Sequence, residues 1–357
     1  MLRRLLLIAS GLCLAAAALA TGPKLSFEYG FDGDFRFDNR EFSVSDERLS
    51  PSMTIGAVVL TPSVGVGFGQ SDSARHRLMA GVDLRRDFGS GQTTDIFQEV
   101  TLWYDVCLKL PRGCFKAAAG VFPRSKIEGE YSEAFWSDSL RFNDRNLDGV
   151  LLEWRSSDFF AELGLDWMGM AGYDRKERFE IFSSLRWDAL EWLSLGWSAV
   201  MYHYAGSELS PGVVDNHKFN PYVRLSAAHL TGMQDLSLKA GPVLTYQWDR
   251  VNDASPVTPC GAEFVLGAQK WNISVQNTTY LGQNLMYYYE GRDTGGFPYG
   301  NNLYRGLNFY RGFYDRLEIF WTPHFTSWLD FRLGARLHFD SSGYLGWAQV
   351  ASLTVHL

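Results

Sequence analysis

Three sets of residues in this 357-residue chain have types and spacings that could do chemistry. Asp144-Arg145-Asn146-Leu147-Asp148-Gly149 opens like the D-x-N-x-D-G calcium loop, whose crowded oxygens replace the water around the ion. Such a loop needs a bidentate carboxylate at its twelfth position, which here is Arg155, and the flanks read as strand. An Asp/Asn/Gly-rich turn is the expected role. Cys107 and Cys114 bracket Leu108-Lys109-Leu110-Pro111-Arg112-Gly113. In an oxidising compartment they are expected to join as a structural disulfide, with two free thiols as the alternative. The histidines at 76, 203, 217, 229, 324, 338 and 356 include no HExxH pair and no nearby His-x-Ser arrangement.

Gly65-Val66-Gly67-Phe68-Gly69 falls short of a dinucleotide fingerprint, because Gln70 takes the last glycine position and no helix follows. No catalytic residue, cofactor or metal is expected, and the chain is read as having no enzymatic activity. Spatial triads assembled across strands leave no mark in a linear sequence. A hydrolase would therefore need Ser, His and Asp to converge on the wall or rim of the fold.

The elements that would position these residues are strands. Leu25, Phe27, Tyr29, Phe31, Phe35 and Phe37 fall on odd positions, while Glu28, Asp32, Asp34, Arg36 and Asp38 fall on even ones. Period two over this span means a strand with one greasy and one charged face. The pattern recurs through sixteen candidate strands (fourteen or twelve being the alternatives), most near the roughly 9–11 residues that a tilted transmembrane strand needs. Short links at 70–75, 108–113 and 188–190 alternate with long ones at 38–52, 124–147, 205–216 and 282–313. That asymmetry belongs to an antiparallel up-and-down transmembrane β-barrel with short periplasmic turns and long outer loops. A soluble sandwich has no reason to place a long loop at every second connection. Trp103, Trp154, Trp167, Trp187, Trp197 and Trp321 sit near strand ends, where interfacial girdles would hold them.

Residues 1–20 read as a cleaved signal peptide: Arg3 and Arg4, an apolar run, then Ala18-Leu19-Ala20. Residues 21–357 are expected to form one barrel domain in a Gram-negative-type outer membrane, with its lipids as surroundings. Losing Arg3 and Arg4 takes the net charge from −7 to −9, which argues against a nucleic-acid partner. Parity places Arg36, Arg77, Arg85, Arg186, Arg224, Arg332, Arg336, Asp83, Asp105 and Glu180 on the lumen face as candidate pore-lining residues. The loop 124–147 carries Glu128, Glu130, Glu133 and Asp138 as a candidate constriction. It follows the fifth strand and is similar in position to the loop that narrows sixteen-stranded general porins. A loop packed over the outer mouth is the alternative. The aromatic-rich stretch at 282–313 reads as a self-packed lid, with sugar stacking and surface recognition as the alternative.

Phe122-Pro123-Arg124, Phe135-Trp136-Ser137-Asp138-Ser139-Leu140-Arg141 and Gly212-Val213-Val214-Asp215-Asn216 resemble segments of uncharacterised, porin-like outer-membrane β-barrel proteins of Bacteroidota-type bacteria. The resemblance implies a barrel and brings no activity with it. Passive diffusion of small polar solutes is the expected function, restricted by the loop 124–147. A non-conducting barrel that anchors a surface or assembly complex is the alternative. Solute identity and oligomeric state are not written in the sequence.

Overall fold

The computed structural model describes residues 25–42, 52–69, 71, 73–89, 96–136, 142–209, 212–251, 253–285 and 310–357. The expected signal peptide, Asp138 and most of the aromatic last loop lie outside the described residues.

The strands follow one another as antiparallel neighbours. The first eight are β1 (Ser26–Phe42), β2 (Met53–Phe68), β3 (Ala74–Asp87), β4 (Phe97–Leu110), β5 (Gly113–Pro123), β6 (Asn146–Arg155), β7 (Phe159–Gly169) and β8 (Arg178–Leu190). The others are β9 (Leu193–Ala205), β10 (Val213–Ser226), β11 (Asp235–Asp249), β12 (Cys260–Lys270), β13 (Ile273–Gly282), β14 (Gly312–Trp321), β15 (Leu329–Asp340) and β16 (Gly343–His356). A three-residue strand, His324–Thr326, edges the turn before β15. The last strand returns to the first, with Asp32 opposite His356 and Phe42 opposite Gly346. The sheet is thereby a closed sixteen-stranded barrel, which leaves no unpaired edge. Among the described residues no helix is long and apolar enough to cross a membrane.

Alternation determines the two faces. In β9, Ser198, Val200, Tyr202 and Tyr204 are buried inside, while Leu195 and Trp197 are exposed on the outer wall. Tight turns close one end. At Trp271-Asn272 both residues have positive φ (50° and 66°), the twist that a two-residue hairpin turn demands. The long loops emerge at the other end.

One expected girdle residue is elsewhere. Trp103 faces inward, buried, with its indole N–H donating to Asp105 at 3.0 Å and Lys126 over its ring. It falls in the middle of β4 rather than near an end, away from where a girdle would hold it. The odd parity it shares with Asp105 decides for the interior.

Candidate functional site

The chain after β5 turns into the barrel. Pro123 leads into a single 3₁₀ turn, Arg124–Lys126, and an irregular segment continues to Trp136 inside the lumen. Its polar groups need partners there, and the wall supplies them. Arg124 donates to the carboxylates of Asp144 and Asp166, both at 2.8 Å, closing the two ends of the loop on the wall. Lys126 pairs with Asp105 (2.9 Å), which Arg77 also holds (2.7 Å). Burial pulls the Lys126 ammonium below the usual lysine range, and Asp105 opposes that pull. Glu128 bridges Lys116 and Arg155, each at 2.6 Å. Glu130 accepts from Arg186 and Arg224, each at 3.1 Å. Glu133 faces Arg316 at 3.5 Å. Glu162 receives the backbone N–H groups of Glu128 and Gly129 and the Tyr131 hydroxyl.

The remaining lumen-face candidates also point inward. Arg36 bonds Asp38, Arg85 bonds Asp87 and Asn143, Arg336 bonds Glu318, and Arg332 lies over the Phe320 ring. Asp83 accepts from Asn146, which also donates to Glu99. Two of the three ligand-type side chains of the calcium-like stretch are spent on wall contacts, Asp144 on Arg124 and Asn146 on two acids, and the third, Asp148, is exposed. Among the described residues no cluster of metal-ligating side chains occurs. Cys107 and Cys114 stand with their sulfurs 3.1 Å apart, as thiols, across the β4–β5 turn.

Apolar groups complete the filling. Phe135 and Trp136 pack with Phe182, Leu285 and Tyr310 in one buried cluster that spans the interior. Leu285 and Tyr310, at the two ends of the last long loop, are tied by a backbone hydrogen bond. Around the inserted segment lie cavities of about 510 Å³ and 390 Å³, both near the short-turn end.

On the outer wall, near the long-loop end, a polar group interrupts the apolar band. Asp215 on β10 lies opposite His203 on β9 and Trp248 on β11. Its carboxylate is 3.6 Å from His203 Nδ1 and accepts from Arg250 Nε at 2.7 Å. Only 4% of the Asp215 side chain is exposed, against 22% of His203 and 51% of Arg250. Phe179 stacks on His203, and His217, two residues along, stacks on Tyr246. The contact from His203 to Asp215 is longer than a formed hydrogen bond, as is common for a base and its orienting acid before substrate arrives. A second polar group on the same face differs in kind. There Asp315 is saturated by Asn277 and Thr279.

Sequence reading missed the His203–Asp215 pair because the polar stretch Asp215-Asn216-His217-Lys218 looks like the end of a loop. The expected loop ran to residue 216, whereas β10 begins at Val213. The available signal was parity: with the strand extended by two turns of the pleat, Asp215 and His217 join Phe219 on the outer face.

Comparison with known proteins adds two findings. A family model described as lipid A 3'-O-deacylase-type matches residues 31–246. Among solved structures, OmpT of Vibrio cholerae in its trimer form superimposes with a TM-score of 0.52 at 10% identity, covering 93% of this chain and 100% of that one. A loop L8 deletion mutant of the same protein gives 0.50 at 10% identity, with 93% and 99% covered. A variant of OccD1 (OprD) gives 0.50 at 11% identity, with 95% and 97% covered. At such identities the likeness is one of fold, that of outer-membrane barrels. No curated protein matches the sequence. The family match overturns the expectation of a barrel without enzymatic activity. That expectation rested on the lack of a contiguous motif, and a site built across strands needs none.

Proposed function

The chain belongs to the lipid A 3'-O-deacylase-type family, and on that premise we propose that it is an outer-membrane hydrolase that removes an acyl chain from a lipid A-type lipid at its outer wall. The observation that carries the reading is the lipid-facing His203–Asp215 pair beside Arg250. The long-loop end faces the cell exterior in this reading, so the pair meets the outer leaflet where headgroups give way to chains. His203, oriented by Asp215, takes a proton from water as the hydroxide attacks the ester carbonyl. The carbon–oxygen bond to the sugar then breaks, and the departing alkoxide takes the proton back from His203. The products are a fatty acid and a free hydroxyl. Arg250 supplies the positive charge that the developing oxyanion needs. The family match includes His203 and Asp215 and ends just before Arg250.

Incubation of the purified barrel with lipopolysaccharide tests this, with mass spectrometry of the lipid A. Loss of one acyl chain supports the hydrolase; intact lipid with a correctly folded barrel contradicts it.

The two cavities around the inserted segment favour a second reading, the passage of small polar solutes around the loop 124–147. The apolar cluster across the interior works against a standing opening, so passage would need the segment to move. Current across a planar bilayer decides between a sealed and a leaky lumen.

A further inference from the structure

The larger cavity, about 510 Å³, lies between the inserted segment and the wall of β3 to β6, at the short-turn end and far along the strands from His203. Its volume is in the range of small-molecule sites. Its lining carries five bases against three acids, an excess of two positive charges. Two of the acids are structural. Asp105 holds Arg77 and Lys126, and Glu153 is almost fully buried between Lys116 and Arg155.

The third acid, Glu128, is different. It belongs to the irregular segment rather than to a strand, and it is two-fifths exposed, as are both of its partners. Ion pairs that wet are weakly held, typically by about 1 kcal/mol or less. Glu128 therefore occupies, with one carboxylate, a seat between Lys116 and Arg155 that another anion can take. Arg155 offers a planar fork suited to a carboxylate or phosphate. In the same lining Lys109 makes no ion pair among the described residues.

We propose that this cavity binds a small dianion from the short-turn side. One anionic group replaces Glu128 between Lys116 and Arg155, and the other is drawn to Lys109. Organic phosphates and dicarboxylates share this chemistry.

Isothermal titration of the full-length barrel in detergent tests the site, with inorganic pyrophosphate and succinate as separate probes. Saturable binding of one probe or both is expected, and the stronger probe assigns the class. Glu128→Gln removes the internal competitor and should tighten binding up to about fivefold. Lys116→Gln should weaken it about tenfold, through loss of a charge-assisted bond. Lys109→Gln is the milder variant if Lys116→Gln fails to fold, and it should weaken binding in the same direction. No saturable binding of either probe overturns the proposal, as does binding that is indifferent to Lys116 and Lys109. Weaker binding by Glu128→Gln overturns the displacement of Glu128.

Discussion

The indole N–H of Trp136 donates to Glu180 at 2.7 Å, joining the inserted segment to the barrel wall with both side chains buried. Losing the indole would take one charge-assisted hydrogen bond from a buried carboxylate, and the ring also packs edge-on against Phe182, 4.8 Å between centroids. This contact and the buried ion pairs of Arg124 with Asp144 and Asp166 hold the two ends of the segment.

Removing the aromatic anchor should free the segment. Trp136→Ala is expected to cost about 3–5 kcal/mol of docking, as for other buried aromatic truncations, while the sixteen-stranded wall persists. In planar bilayers the variant should pass more current than the wild type, and deletion of residues 126–142 should pass more again. Equal currents from all three would show that the segment does not close the lumen.

Acidity should act on the same segment through Asp144. Burial raises its carboxyl above the ordinary value of 3.8, with Arg124 only partly opposing. A group with a raised folded-state pKa contributes stability below its unfolded value and loses that contribution as pH rises through the folded one. Acidification from neutrality towards about pH 4 should therefore stabilise the wild type relative to Asp144→Asn. Melting temperatures of the two proteins across that range give the answer, and parallel curves would remove Asp144 from the account.

The Cys107 and Cys114 thiols are placed to become a disulfide by exchange with a donor disulfide of the oxidising compartment. Protein recovered from that compartment should yield a linked peptide and resist alkylation at both positions. Closing so short a loop is worth about 2–3 kcal/mol in the chain-entropy account, so Cys107→Ser should melt earlier than the oxidised wild type. Full alkylation of both thiols without prior reduction would refute the bridge.

Much of this was readable before any coordinates. The odd–even split of β1 is enough to send Arg36 and Asp38 inward and Phe27 and Tyr29 outward, because a strand reverses its side chains at every residue. The same parity places Arg77 with Asp105 and sends Arg186 and Arg224 towards the lumen, where Glu130 meets them. Trp103 shows where a residue-type rule fails: an aromatic expected in a girdle lies in the middle of β4, and the face it shares with Asp105 puts it in the core. The path of residues 124–136 through the interior has no periodicity to announce it. Its acids and aromatics carry meaning only once the facing cations are in place. His203 and Asp215 are separated by a loop, and they become neighbours only through the pairing of β9 with β10.

The central claim is that His203 and Asp215 form a hydrolytic pair on the lipid-facing wall, and acyl-chain counting in living cells tests it most directly. A Gram-negative host should be made to express the wild type, His203→Gln or Asp215→Asn at equal outer-membrane levels, and its lipid A weighed by mass spectrometry. The account predicts lipid A lacking one acyl chain with the wild type. It predicts intact lipid A with His203→Gln, the base, and a product reduced by about a hundredfold or more with Asp215→Asn, which leaves the imidazole without the acid that orients it. Deacylation that continues undiminished in His203→Gln, or lipid A left intact by the wild type, would contradict it.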